Sequence, residues 1–215
     1  MNKLCAFICL VVVFTCSNHL LAQNTLTASA DFTGTGVVIV DSSVATEFAN
    51  VSDPGMNSII DVFFTANLSS SSFLINSDGT IDNSGGSPFN NELGLTLISP
   101  TGTSLELIAT GTFNTGDNAD AFELLDISFA DGGAPQGLNP AAGTFAATGG
   151  LFDIFDGEVA DGAWQVVVED TVGGDPKSLN GFSLTVVTVP EPSSALFMAL
   201  GLVGVTTLRR RTSGC

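Results

Sequence analysis

The sequence predicts an all-β fold, an antiparallel β-sandwich or jelly roll of about eight or nine strands. Three observations predict it. Clusters of Gly, Ser, Thr, Asn and Asp separate short apolar runs between residues 25 and 189. Several of these runs alternate apolar and polar side chains, as half-buried strands do. No run keeps the helical period of about 3.6 residues. Residues 17–214 contain no cysteine, so packing rather than a disulfide must stabilise this body.

The predicted strands follow one another through the body. The leucines of residues 92–98 share one face, and so do the large apolar side chains of residues 182–186. In residues 163–170, Trp164 shares a face with two valines, and Asp170 continues that face at the strand end. This alternation favours Trp164 as a core residue over a sugar-stacking one. The further strand candidates are residues 36–40, 59–68, 104–109, 122–129 and 151–155.

The N-terminus has the pattern of a secretory signal peptide, which we predict to be a helix over residues 1–22. Lys3 provides the charged start, and residues 4–14 form an apolar run that is too short to cross a bilayer core of about 30 Å. The predicted cleavage follows Ala22. Two alternatives remain open, an uncleaved anchor and a lipid attached to Cys16.

The charge balance is strongly acidic, with 22 Asp and Glu against 5 Lys and Arg and a formal net charge of −17. All acidic residues except Glu191 lie between the two ends, where Lys177 is the only basic residue. Such a body repels nucleic acid and anionic membrane surfaces, so neither is an expected partner. The carboxylates either form a solvated surface or hold divalent cations.

The C-terminal tail combines three features. Pro190 and Pro192, with Glu191 between them, break regular secondary structure. Residues 193–208 carry no charge, and Arg209, Arg210 and Arg211 follow them. A helix over the uncharged residues would be about 24 Å long, a short transmembrane span. An arginine cluster beyond such a span favours its cytoplasmic side, so these arginines orient the tail.

Residues 189–215 as a whole resemble the PEP-CTERM sorting signal of exported bacterial proteins. The resemblance implies recognition by an exosortase, a membrane protease-transferase that processes the tail near Pro190, Glu191 and Pro192. It also implies a Gram-negative-type envelope and association with the extracellular matrix. The protein is therefore expected to be exported to the envelope or beyond, and to be held transiently in the membrane through this tail alone.

Five short motifs of the body resemble those of a second family. They are SPTGT at 99–103, FDG at 155–157, GAW at 162–164, GD at 174–175 and LN at 179–180. In this order they resemble the P domain, also called P/Homo B, which follows the catalytic domain of subtilisin-like proprotein convertases. The resemblance covers about residues 50–187.

This resemblance implies a β-sandwich domain over residues 24–188 and an accessory, non-catalytic relation to a serine endopeptidase. The chain departs from the family pattern at Phe182, where Trp is usual, and at residues 176–178, which replace a plainer turn. Residues 69–91 are also longer than the corresponding hairpin. Family-specific loop contacts are therefore not carried over to this chain.

The body lacks the side chains of the common hydrolases. The single histidine is His19, inside the predicted signal peptide. Ser-His-Asp catalysis, Cys-His catalysis and histidine zinc sites are therefore excluded from residues 24–188. A carboxylate pair can hydrolyse a glycoside, but in so acidic a body close pairs arise by chance. We predict that the protein is not an enzyme.

Five carboxylates are candidate calcium ligands, because oxygen-rich turns suit a hard cation. Asp126 and Asp131 flank the end of a predicted strand, Asp170 and Asp175 bracket the turn after the Trp164 strand, and Glu92 precedes the leucine strand. Calcium is the only cofactor expected. The alternative is ordinary surface turn chemistry.

Two functions are compatible with these observations. The first is a sorted β-sandwich module with a binding or structural role, whose partner is a component of the envelope or matrix. The second is an accessory domain of subtilisin-like proteolysis, whose catalytic domain is supplied by another chain.

Overall fold

The computed structural model describes residues 23–32, 37–70, 74–75, 81–82, 88–113 and 122–190. Over these residues the chain forms two main β-sheets, a small hairpin and two short 3-10 helices. The all-β prediction is confirmed, and the two sheets form a β-sandwich around one apolar core. The predicted signal helix and the C-terminal helix lie outside the described residues.

The strands divide between the sheets by their pairing. The first sheet consists of β1 (Asn24–Asp31), β2 (Val38–Val40), β4 (Ser58–Ser70), β9 (Phe122–Ala134), β10 (Gly143–Phe145) and β12 (Lys177–Val189). Its order is β1-β12-β4-β9-β10, and β2 also pairs with β12. The second sheet consists of β3 (Ser43–Val51), β7 (Leu93–Ile98), β8 (Ser104–Ile108) and β11 (Gly162–Asp170), in the order β3-β11-β7-β8. The hairpin pairs β5 (Leu74–Ile75) with β6 (Ile81–Asp82).

Most predicted strands are present, but the prediction for residues 151–155 is wrong. Phe152–Phe155 is a 3-10 helix. Phe152 and Phe155 are both buried, and a separation of three residues puts them on one face of such a helix. In a strand the same two side chains would point to opposite faces. The sequence patterns did not predict β1, β3 and β10, nor the two-residue strands β5 and β6.

Trp164 is a core residue, as its alternation predicts. Its side chain is fully buried, and its Nε1 donates a hydrogen bond of 3.1 Å to the carbonyl oxygen of Ala160. The Phe155 ring meets it edge-on with 5.2 Å between ring centroids. The second 3-10 helix and Trp164 together close the gap between the sheets at one end of the sandwich.

The strand directions define two ends of the sandwich. At the tail end, Val189 pairs with Ser58, and Asn24 pairs with Thr188. The chain therefore enters and leaves the sandwich at this end. The loops over residues 52–57, 99–103 and 156–161 also lie there. The opposite, far end carries residues 41–42, 88–92 and 171–176.

Candidate functional site

Three of the five predicted calcium ligands meet at the far end, and we call them the far-end carboxylates. Asp170 ends β11, Asp175 lies in the turn before β12, and Glu92 ends the first 3-10 helix (Asn90–Glu92). The pairing of β7 with β11 places Leu93 opposite Asp170, which brings Glu92 to the same end.

Lys177, the first residue of β12, lies among them and is fully buried. Its Nζ is 2.5 Å from both the carbonyl oxygen and Oδ2 of Asp175, and 3.9 Å from Oδ2 of Asp170. The same Asp175 oxygen accepts a 2.5 Å hydrogen bond from the backbone N–H of Phe89, and Oδ1 of Asp170 accepts one of 3.2 Å from that of Val172. The group therefore ties β12, β11 and the segment before β7 together.

Burial, together with neighbouring charges, changes the acidity of Glu92 and Asp170. Burial, followed by repulsion from Asp175, raises the pKa of Glu92 to about 7, although Lys177 lowers it. Burial likewise raises the pKa of Asp170 to about 6, against the lowering effects of Lys177 and the Val172 N–H. Because of these shifts, Glu92 and, to a smaller extent, Asp170 stay protonated to a higher pH than isolated carboxyl groups do.

Asp126 lies elsewhere, in a recess of about 290 Å³ on the outer face of the first sheet. It is opposite Asn67, whose Nδ2 donates a hydrogen bond of 2.7 Å to Oδ1 of Asp126. The buried Oδ1 of Asn67 has no hydrogen-bond partner. Thr65 and Ser183 also line the recess. Ala30, Gly181 and Phe182 line the recess as well, so hydroxyl, amide and carboxylate groups lie beside apolar surface there.

Asp131 is separate from both groups and lies towards the tail end. Its Oδ1 accepts a 2.7 Å hydrogen bond from the backbone N–H of Phe152. A hydrogen bond and repulsion from Asp131 raise the pKa of Asp153. Burial, together with repulsion between these carboxylates, raises the pKa values of Asp156 and Asp61. The predicted pair of Asp126 and Asp131 is thus divided between two surfaces.

Glu158, which the sequence patterns did not single out, holds the tail-end loops together. Glu158 accepts hydrogen bonds from the hydroxyls of Thr101, at 2.6 Å, and of Thr103. Burial raises its pKa, but the hydroxyls of Ser99, Thr101 and Thr103 outweigh this effect and lower it. The three hydroxyls of SPTGT, within five residues, are recognisable in the sequence. Their carboxylate partner is not, because Glu158 lies 55 residues beyond Thr103 along the chain.

Within the described ranges, no group of three or more Asp, Glu, His or Cys side chains is arranged to hold a metal ion. Calcium binding stays a prediction.

Residues 86–186 match the family model of the proprotein convertase P-domain, and residues 188–211 match that of the PEP-CTERM protein-sorting motif. The chain carries a P-domain and a PEP-CTERM sorting motif. Both predicted resemblances are confirmed. No curated protein matches the chain at a significant level of similarity.

The folded unit is larger than the stretch matched as P-domain. Strand β4 precedes that stretch, yet it pairs with both β9 and β12 in the middle of the first sheet. At the position where the family usually has Trp, Phe182 packs against Phe32 and Phe64 with centroid separations of 5.9 and 6.0 Å. The smaller aromatic side chain therefore keeps a core role.

The sorting motif begins where the P-domain fold ends. Its match starts at Thr188, inside β12, and Pro190 directly follows the last strand residue, Val189. The motif indicates export and membrane-anchored sorting to the envelope. Over the residues described, the structure contains no helix with the length and apolar character needed to span a membrane. Glu191, Pro192 and the three tail arginines lie beyond those residues.

Proposed function

We propose that the protein is an exported, non-catalytic P-domain module, which an exosortase-type enzyme sorts to the cell envelope or extracellular matrix, where it has a binding role. The P-domain and the sorting motif support the export and sorting. The absence of histidine and cysteine from residues 24–188 supports a role without nucleophilic catalysis.

One structural observation carries this proposal. Strand β12 pairs with Ser58 up to Val189, and the motif follows at Pro190 without a linker. A membrane-held tail would therefore keep the tail end of the sandwich next to the bilayer. The far end and the outer faces of both sheets would then be directed away from it, towards ligands outside the cell.

The sorting step is tested by replacing Pro190, Glu191 and Pro192 with Ala. We expect a longer form that stays in the membrane fraction, measured by mass and by cell fractionation. A matched control replaces Glu106 and Pro135, which are exposed residues of the same types. Sorting by this motif is excluded if the variant has the wild-type mass and location.

For the binding role, the recess around Asp126 is the candidate surface. Hydroxyl, amide and carboxylate side chains are suited to accepting and donating hydrogen bonds with a hydroxyl-rich ligand, and the charge of the body disfavours an anionic one. We therefore propose a neutral polysaccharide. Binding of neutral glycans by the purified protein should be lost in Asn67→Ala and kept in Asn50→Ala, which alters an exposed asparagine of the second sheet. If the wild type binds no neutral glycan, the recess is not a polysaccharide site.

The P-domain match favours one alternative, an accessory part of subtilisin-like proteolysis with the catalytic domain on another chain. Capture of the protein from its own cell envelope distinguishes the two functions. Copurified serine-hydrolase activity would support the alternative, and envelope or matrix polymers without such activity would support the binding module.

A further inference from the structure

The outer face of the first sheet carries a row of hydroxyl groups that crosses the strands β1-β12-β4-β9-β10 from edge to edge. Strand pairing places one hydroxyl of each strand opposite the next, and all five side chains are exposed or half-buried. In sheet order the members of this hydroxyl row are Ser29, Ser183, Thr65, Ser128 and Thr144. Because neighbouring strands lie about 4.8 Å apart, the row is about 19 Å long.

The hydroxyl row is continuous with the recess around Asp126. Its members Thr65 and Ser183 line the recess, and its end members Ser29 and Thr144 belong to the edge strands β1 and β10. No side chain in the row is larger than threonine, so none of them closes it off. A linear ligand bound in the recess can therefore continue across the sheet towards both edges.

The hydroxyl row is uncharged, although the chain has a formal net charge of −17. The neighbouring row towards the tail end is uncharged as well and consists of Thr27, Thr185 and Phe63. The row on the other side holds two carboxylates, Asp31 and Asp126. An uncharged strip on an acidic protein suits a neutral ligand, since an anionic one is repelled by the protein as a whole.

The groups of this strip match the two kinds of surface that a sugar chain presents. A serine or threonine hydroxyl can donate one hydrogen bond and accept two. The hydroxyls of Thr65 and Ser128 are 2.8 Å apart and share one hydrogen bond, so the pair still has one donor for a ligand. Beside the row, the ring of Phe63 is 41% exposed and offers apolar surface to the C–H groups of a sugar ring.

On the basis of the proposed binding function, we infer that the ligand is a linear neutral polysaccharide that lies across the strands along the hydroxyl row. The protein then binds internal stretches of the sugar chain rather than its end. Affinity should therefore depend on ligand length, because a short oligosaccharide occupies the recess alone and a longer one also reaches Ser29 and Thr144.

The test is a binding series with linear oligomers of glucose and of N-acetylglucosamine, from one to six sugar units. The full chain is purified in a detergent without a sugar headgroup, and binding is measured by calorimetry. We expect the hexasaccharide of the recognised sugar to bind about tenfold more tightly than the disaccharide. Ser29→Ala and Thr144→Ala should each weaken hexasaccharide binding about fivefold, as expected for one net hydrogen bond, and leave disaccharide binding unchanged.

Matched controls alter exposed threonines outside the row. Thr27→Ala lies on the same face of β1 as Ser29, and Thr46→Ala lies on β3 of the second sheet. Both should bind the hexasaccharide like the wild type. The inference is overturned if the disaccharide and hexasaccharide bind alike, or if Ser29→Ala and Thr144→Ala bind like the wild type, and in both cases the recess remains a glycan site. Absence of binding at every length would overturn the glycan site as well.

Discussion

The two ends of the sandwich close the same gap between the sheets with opposite chemistry. At the tail end, Phe152, Phe155 and Trp164 fill the gap with aromatic rings. At the far end, Lys177 and the far-end carboxylates fill it with charge. Burial of apolar area stabilises a fold at any pH, whereas a buried ionic group stabilises it only while its charges are balanced. The far end should therefore be the conditional part of the molecule, the part whose contribution to stability changes with pH.

The largest expected effect is at the tail end, from Phe155→Ala. Removing this buried ring next to Trp164 leaves a cavity and should lower the free energy of unfolding by about 3–5 kcal/mol. Urea denaturation should give the same loss at pH 5 and pH 8. Ile154→Ala is the matched control, because this side chain is 51% exposed and the change should cost less than about 0.5 kcal/mol. A loss for Phe155→Ala that varies strongly with pH would contradict the comparison.

The far end should respond to pH through Glu92. Its pKa of about 7 in the folded protein lies above the ordinary value of 4.5, so the folded state binds this proton more tightly than the unfolded chain. The resulting stability is complete below about pH 4.5 and is lost as the pH rises through 7. Asp170, with a pKa of about 6, acts in the same direction. We expect the melting midpoint of the wild type to fall between pH 5 and pH 8.

Glu92→Gln keeps the uncharged shape and should raise the midpoint at pH 8 by several degrees while changing it little at pH 5. Glu47→Gln, a half-buried carboxylate of β3, serves as the control and should retain the wild-type pH dependence. A wild-type midpoint that rises steadily from pH 5 to pH 8 would show that the far end is not the conditional part.

Glu158, at the tail end, should make stability depend on pH in the opposite direction. Its pKa is lowered, so its contribution is present above about pH 4.5 and is lost as the pH falls below that value. Glu158→Gln weakens the hydrogen bonds to Thr101 and Thr103 and should cost roughly 1 kcal/mol at pH 7. Urea denaturation should show this difference shrinking below pH 4. A cost that stays constant down to pH 3 would mean that the charge of Glu158 is not what holds the loops.

The smallest expected effect is that of calcium on the wild type. Asp131, Asp61, Asp153 and Asp156 repel one another at the surface, and a divalent cation relieves that repulsion. Because no group there is arranged to hold an ion tightly, we expect a rise of only a degree or two at fixed ionic strength. Asp131→Asn should reduce the rise, and Asp126→Ala, in the recess of the first sheet, should not. Equal shifts with calcium, magnesium and sodium chloride would indicate screening alone.

Local sequence determined those features that depend on neighbours along the chain. Alternation placed Trp164 in the core and predicted the strands over residues 92–98 and 163–170, because side chains of a strand point to alternate faces. The proline-flanked motif at Pro190 and the SPTGT turn were recognisable for the same reason, since each is a contiguous run. The all-β class followed from turn residues at short intervals.

Tertiary structure alone decided which distant residues meet. Strand register brought Glu92 to Lys177 and the hydroxyls of SPTGT to Glu158, and it separated Asp126 from Asp131. The strand predicted for residues 151–155 became a 3-10 helix, because the gap between the sheets required both of its phenylalanines on one face. Such choices depend on which strands pair and how far each is shifted. A one-residue shift turns every side chain of a strand to the other face, so no local pattern contains that information.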